Sequence, residues 1–195
     1  MRRKTLDALL ATGGIVVAVV LLVAGVLLTW GHNFASSEVN SQLSAQKIFF
    51  PAKGSESLND PAVKPYLEKY AGQQLTTGAQ AKAFADHYIK VHLKESTGGK
   101  TYSELSTLSR QSPNDTKLAG QVQTAFRGET LRGMLLNAYA WDTMGNIAFI
   151  ASIVAYIGAG LMLLLSILGF VHLGRTPEDE LAFAPRASRE ARVNA

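Results

Sequence analysis

The sequence predicts an all-α membrane protein: two transmembrane helices flanking a small, mostly helical extracytoplasmic domain. Three observations lead there. The run from Gly145 to Gly174 contains no Asp, Glu, Lys or Arg, and roughly 20 apolar residues suffice to cross a bilayer as a helix. A second run from Leu6 to Trp30 has the same character, with Asp7 as its one acid. Between them lies a stretch of ordinary soluble composition, which two spans place on one side of a membrane. The expected organisation is a cytoplasmic basic N-terminus (1–5), transmembrane helix 1 (6–30), an extracytoplasmic helical domain (31–140), transmembrane helix 2 (141–173) and a disordered cytoplasmic tail (174–195).

The first span has two readings. A basic start before an apolar run also opens a secretory signal peptide. The run from Ala8 to Leu28 exceeds the roughly 7–15 residues of a signal's apolar region, and no A-x-A pattern follows it. Retention as an anchor is therefore expected. Arg2, Arg3 and Lys4 then hold the N-terminus in the cytoplasm, and Trp30 marks the outer interface. Asp7 lies one turn from Arg3 and Lys4, so an interfacial ion pair accounts for it without a proton-relay role.

Composition agrees. Of 195 residues, 47% are hydrophobic and 17% charged, below the roughly 25% charged of a soluble domain. The net charge of +4 does not point to nucleic acid, because three of the cations are the topology signal and no basic stripe follows. With no cysteine in the chain, disulfides, thiolate metal sites and a lipidated cysteine anchor are excluded.

In the middle region, Ser36 or Ser37 can cap a helix that prolongs the first span, with Val39 and Leu43 one turn apart. Lys47–Pro51 ends it, since the residue before a proline avoids the α region. Pro51–Pro65 reads as a loop, followed by a short helical turn over Val63–Tyr70. Gly78–Lys94 is the clearest soluble helix: Ala81, Phe84, Ala85, Tyr88, Val91 and His92 follow the 3.6-residue period, and Gly98-Gly99 stops it. A short helix is expected over Tyr102–Leu108. A final one starts near Asp115 or Thr116 and runs into the second span, with Gly128 and Gly133 as bend points.

No catalytic constellation emerges. Thr97–Thr101 resembles the end of a phosphate-binding loop, but Lys94 stands where that motif needs glycine and no strand precedes it. A helix stop and turn explains it better. His87 and His92 are five apart and do not form an i,i+4 zinc pair. Asp86 beside His87 is an acid/base candidate only with a substrate pocket. The simpler expectation pairs Asp86 with Lys90 and His92 with Glu95 along the helix, and Arg127 and Arg132 with Glu129 or other acids. Asn114-Asp115-Thr116 matches a glycosylation sequon. No cofactor and no metal site is expected.

Small residues mark the spans. Ala11, Gly14, Ala18 and Gly25 lie on one face of the first, and Ala151, Ala155 and Ala159 repeat every four residues on the second. Such stripes let helix backbones approach closely. Their simplest use joins the two spans within one chain; a subunit interface is the alternative.

Several segments carry a family resemblance: Gln42-Leu43 with Gln46-Lys47-Ile48, Ala85–Ile89, Gly99–Leu105, and Arg127–Gly133 running into Ala138–Trp141. In these the chain resembles a group of small actinobacterial two-span membrane proteins. Some of that group carry a transferred name, aromatic ring-opening dioxygenase. The residues here do not support that activity, which needs an iron site of two histidines and a carboxylate.

The expected function is a non-enzymatic accessory or scaffold protein of a bacterial envelope complex. Its partners would be the lipid bilayer and a membrane protein or a second copy, with Asp86, His87, Lys100, Tyr102, Arg127 and Arg132 as partner contacts. An extracytoplasmic sensor or ligand-binding protein acting through a partner is the alternative. An envelope hydrolase using Asp86, His87 and Lys100 ranks third.

Overall fold

A computed structural model of the chain describes residues 2–177 and Ala182. The described chain is all-helical, 80% helix with no strand. Most of the expected tail, from residue 178 on, lies outside the described residues. In chain order the elements are α1 (Arg3–Ala45), α2 (Glu56–Asn59), α3 (Lys64–Leu67) with a 3-10 turn over Glu68–Tyr70, α4 (Gly78–Phe84), a π-helical turn over Ala85–Ile89, α5 (Lys90–Thr97), α6 (Tyr102–Gln111) and α7 (Thr116–Leu173).

α1 and α7 are long and apolar enough to cross a membrane, with mean hydropathy of 2.7 and 2.4 over their most apolar stretches. Only 22% and 17% of those stretches are buried. The core helix of a soluble protein hides such a surface. Here rows of Leu, Val and Ile stay uncovered, Leu10, Val20, Ile150 and Ile157 among them, which suits lipid and would be costly in water. α1 runs unbroken through Ser36 and Ser37, so neither caps a new helix there. α7 is likewise one helix from Thr116.

The chain divides into two compact units. The first comprises Met1–Trp30 and Ala148–Ala195. Within it, α1 and α7 meet through small residues. Gly14 faces the Ser166 hydroxyl, Gly25 faces the Tyr156 ring and Gly169 faces Ala11, each so closely that an added methyl would collide or press hard. Ala18 and Ala159 are fully buried, and Ala11 and Ala155 nearly so. Apolar helices have no hydrophobic reason to associate in lipid, so close backbone approach is what brings dispersion contacts into play. Thr29 Oγ1 donates to the Gly25 carbonyl at 2.8 Å and lies 3.1 Å from the Tyr156 hydroxyl.

The second unit, Gly31–Ile147, has a core of Val39, Leu43, Phe50, Leu67, Phe84 and Leu135 with their buried neighbours. Lys47, at φ 52°, turns the chain out of α1. Residues 48–50 then run antiparallel to 73–75, with Phe50 N–H donating to Gln73 O and Leu75 N–H to Ile48 O, both at 2.9 Å. Gln74 Nε2 donates at 2.8 Å to the Ser44 carbonyl near the end of α1, which also accepts from Lys47 N–H at 3.1 Å. The stretch read as a loop, Pro51–Pro65, contains the single-turn α2, whose Leu58 is buried.

Thr77 opens α4 with a reciprocal cap: its hydroxyl accepts from Gln80 N–H, and Gln80 Oε1 accepts from Thr77 N–H. Gly98 and Gly99 end α5 in left-handed conformations (φ 60° and 76°), where a side chain is strained. Thr101 then caps α6 in a reciprocal box with Glu104. The Thr97–Thr101 stretch is thus one helix stop followed by the next helix start.

Candidate functional site

The helix expected over Gly78–Lys94 is interrupted. Between Ala85 and Ile89 the backbone takes one wide π turn before resuming as α5. Such turns are rare and collect at functional sites, because they swing consecutive side chains off the regular face. This one carries Asp86, His87 and Tyr88.

Asp86 is a meeting point of cations. Lys82 Nζ donates to its Oδ2 at 2.7 Å and Arg132 Nη2 to its Oδ1 at 3.2 Å. Arg132 Nη1 also reaches Glu129 at 3.4 Å. The Lys82 hydrogen bond, helped by Arg132, holds the Asp86 carboxyl below its ordinary range, although partial burial pushes the other way. The same hydrogen bond raises Lys82. The expected Asp86–Lys90 pair does not form. Lys90 lies across the π turn, where the i,i+4 relation of a regular helix is broken, whereas Lys82 lies one regular turn back. His92 does not pair with Glu95 either: its Nδ1 lies 2.8 Å from the Tyr88 carbonyl.

Aromatic rings surround the turn. His87 stacks on Tyr66 with centroids 3.5 Å apart and planes 7° from parallel. Phe50, Phe84, Tyr88 and His92 follow one another in contact at 5.4, 4.7 and 4.3 Å. Asp86, Lys82, Arg132, His87 and His92 therefore each have a local structural partner. Among the described residues, no three His, Cys, Asp or Glu side chains gather where a metal could sit.

The other expected contact residues lie apart from this node. Lys100 is exposed beside Glu104, whose carboxyl is lowered chiefly by the Thr101 backbone N–H. Tyr102 is half-exposed against Phe126, 5.6 Å between centroids. Arg127 is exposed and makes no ion pair among the described residues, whereas Arg132 pairs with both Glu129 and Asp86. In the first unit, Asp7 Oδ2 lies 4.0 Å from Arg3 Nε and 4.0 Å from His172 Nε2.

One feature of the second unit was not expected from the sequence. A half-open groove of about 450 Å³ runs between residues 34–46, at the end of α1 and just past it, and 134–141 of α7. Its floor is Ala35, Val39 and Leu43, all buried, and its walls include Phe34, Met134 and Trp141, all more than half exposed. Glu38, Gln42 and Gln46 form a polar rail along one edge, where Gln42 Nε2 donates to Glu38 at 2.6 Å. The signal was present as the four-residue spacing of Ala35, Val39 and Leu43 beside that of Glu38, Gln42 and Gln46.

No protein-family profile, curated protein or solved structure matches this chain.

Proposed function

We propose that the chain is a non-enzymatic, membrane-anchored accessory or scaffold protein of a bacterial envelope complex. The observation that carries the reading is the pair of long helices whose apolar sides remain uncovered within the chain. Lipid covers most of that surface, and a membrane-protein partner or a second copy covers the remainder. Arg2, Arg3 and Lys4 keep both termini in the cytoplasm by the positive-inside rule, which puts residues 31–140 outside. The mutual engagement of Asp86, Lys82 and Arg132, and of His87 with Tyr66, supports a structural rather than a chemical role for them. Purification from native membranes in mild detergent, followed by cross-linking mass spectrometry, is expected to recover a reproducible partner. Recovery of a lone monomer overturns the proposal.

A second reading has its own support. The groove's volume falls within the roughly 300–1,000 Å³ of small-molecule sites, which favours an extracytoplasmic sensor or ligand-binding protein that acts through a partner.

A further inference from the structure

We infer that Trp141 stands outside the bilayer, so that the groove it walls opens to water and not to lipid. The inference rests on the membrane reading. It deepens the ligand-binding one, because it sets the side from which anything reaches the groove.

On α1 the apolar run from Ala8 to Leu28 rises about 30 Å at roughly 1.5 Å per residue, which already fills a hydrocarbon core of about 30 Å. The later residues of that helix have left the core. Within the second unit α7 lines up against them. His32 Nδ1 lies 3.0 Å from the Gly145 carbonyl, and a Cβ built on Gly145 would lie 3.1 Å from that of Ala35. Gly145 is therefore level with a part of α1 beyond the hydrocarbon. In the groove, residues of α7 before Gly145 meet those of α1 after Ala35, so the two helices are antiparallel there. Trp141, about 6 Å before Gly145 on α7, lies farther out still.

The side chains at that level agree. α1 exposes Ser36, Ser37, Glu38 and Asn40, and α7 exposes Asn137 and Asn146 on either side of Trp141. Acyl chains offer these groups no hydrogen bond, and the Glu38 carboxylate would lose its water with nothing in exchange. The uncharged stretch of α7 that follows, Ile147 to Val171, is different: its two serines, Ser152 and Ser166, are both buried. That stretch rises about 36 Å, enough to cross the core with a modest tilt. The second span accordingly begins near Ile147 rather than at Trp141, and Trp30 is the interfacial tryptophan.

The test uses the full-length protein in nanodiscs, whose two faces are both open to water. Trp30→Phe leaves Trp141 as the single tryptophan, and Trp141→Phe leaves Trp30. Bromine quenches indole fluorescence only at short range. In nanodiscs of phosphatidylcholine dibrominated on its acyl chains, Trp30 emission is expected to fall several-fold and Trp141 emission to stay near its value in unbrominated lipid. Dissolved iodide is expected to quench Trp141. Equal quenching of both tryptophans by brominated lipid overturns the inference and leaves the membrane reading standing. If neither is quenched by it, the membrane reading falls and takes the inference with it. A second readout serves where protein shields Trp141 from both quenchers. The chain has no cysteine, so Ala140→Cys, Ser37→Cys and Ile150→Cys, all at exposed positions, each carry one thiol. A charged maleimide is expected to label the first two at similar rates and Ile150→Cys many-fold more slowly, because a thiol in hydrocarbon does not ionise. Ala140→Cys as slow as Ile150→Cys overturns the inference.

Discussion

Arg132 Nη2 donates to Asp86 Oδ1 at 3.2 Å, tying together residues 46 positions apart. About a quarter of each side chain is exposed, and Lys82 approaches the carboxylate from its other side. Because the three groups satisfy one another, removing one leaves the others partly desolvated. Asp86→Asn is expected to cost about 1 kcal/mol at neutral pH, allowing for solvent screening, measured by thermal unfolding of the full-length protein in detergent.

That pair has a pH signature. The Asp86 carboxyl is held below its ordinary value in the folded chain, so its contribution is complete above the usual carboxylate range near pH 4 and is lost as pH falls through the lowered value. Lys82 is raised, so its part is present below the usual lysine range and is lost as pH rises through the raised value. Melting temperature followed from pH 7 down to 3 is expected to fall more steeply in the native chain than in Asp86→Asn. Equal slopes would remove the assignment.

The glycines of the second unit separate steric from conformational effects. Gly78→Ala drives a methyl into the side chain of Asp142, starting at its Cβ, and is expected to destabilise by about 1–3 kcal/mol. Gly128→Ala meets only the end of Leu93, which can rotate aside, so its cost is expected to be smaller. Gly133→Ala has open space and a helical backbone, and should stabilise by about 0.5–1 kcal/mol. Chemical denaturation of the three variants tests the order.

In the first unit, an ideal Cβ at Gly169 lies 3.2 Å from Ala11 Cβ, close to the roughly 3.5–4.5 Å that a disulfide spans. The chain has no cysteine of its own. Ala11→Cys with Gly169→Cys is therefore expected to cross-link within one chain under mild oxidation. Adding Gly25→Val, whose Cβ would lie 2.6 Å from the Tyr156 ring, well inside the roughly 3.5–4.0 Å of carbon–carbon contact, should lower the yield several-fold on a reducing against non-reducing gel.

The proposed orientation is read with the same cysteine-free background. Ser103→Cys sits at an exposed position of α6, and a membrane-impermeant maleimide is expected to label it in intact cells. Labelling only after lysis would reverse the topology.

The two helices long and apolar enough to cross a membrane were legible because they are one-dimensional signals, long apolar runs needing no knowledge of what they touch. Caps were less so: Ser36 and Ser37 suggested one where α1 runs on unbroken, while the Thr101–Glu104 box that opens α6 went unread although its two residues lie only three apart. What Gly25 faces was not legible, since a stripe of small residues states that something comes close and not that it is Tyr156. The Asp86 partners were hidden in two ways. Lys82 and Lys90 stand equally far from it in sequence, and Arg132 arrives from another helix. The groove escaped because its two rims are 88 or more residues apart in sequence.

The wide turn at Ala85–Ile89 also acts as a phase setter. α4 and α5 would share one face if the helix were regular; instead, everything from Lys90 onward is rotated relative to the residues before it. Straightening this stretch into a regular helix with every residue kept would swing the following side chains by about 100°. Leu93 would leave its seat against Gly128, and Thr97 would lose its burial. The number of residues in this turn, more than their identity, decides which side of α5 looks inward.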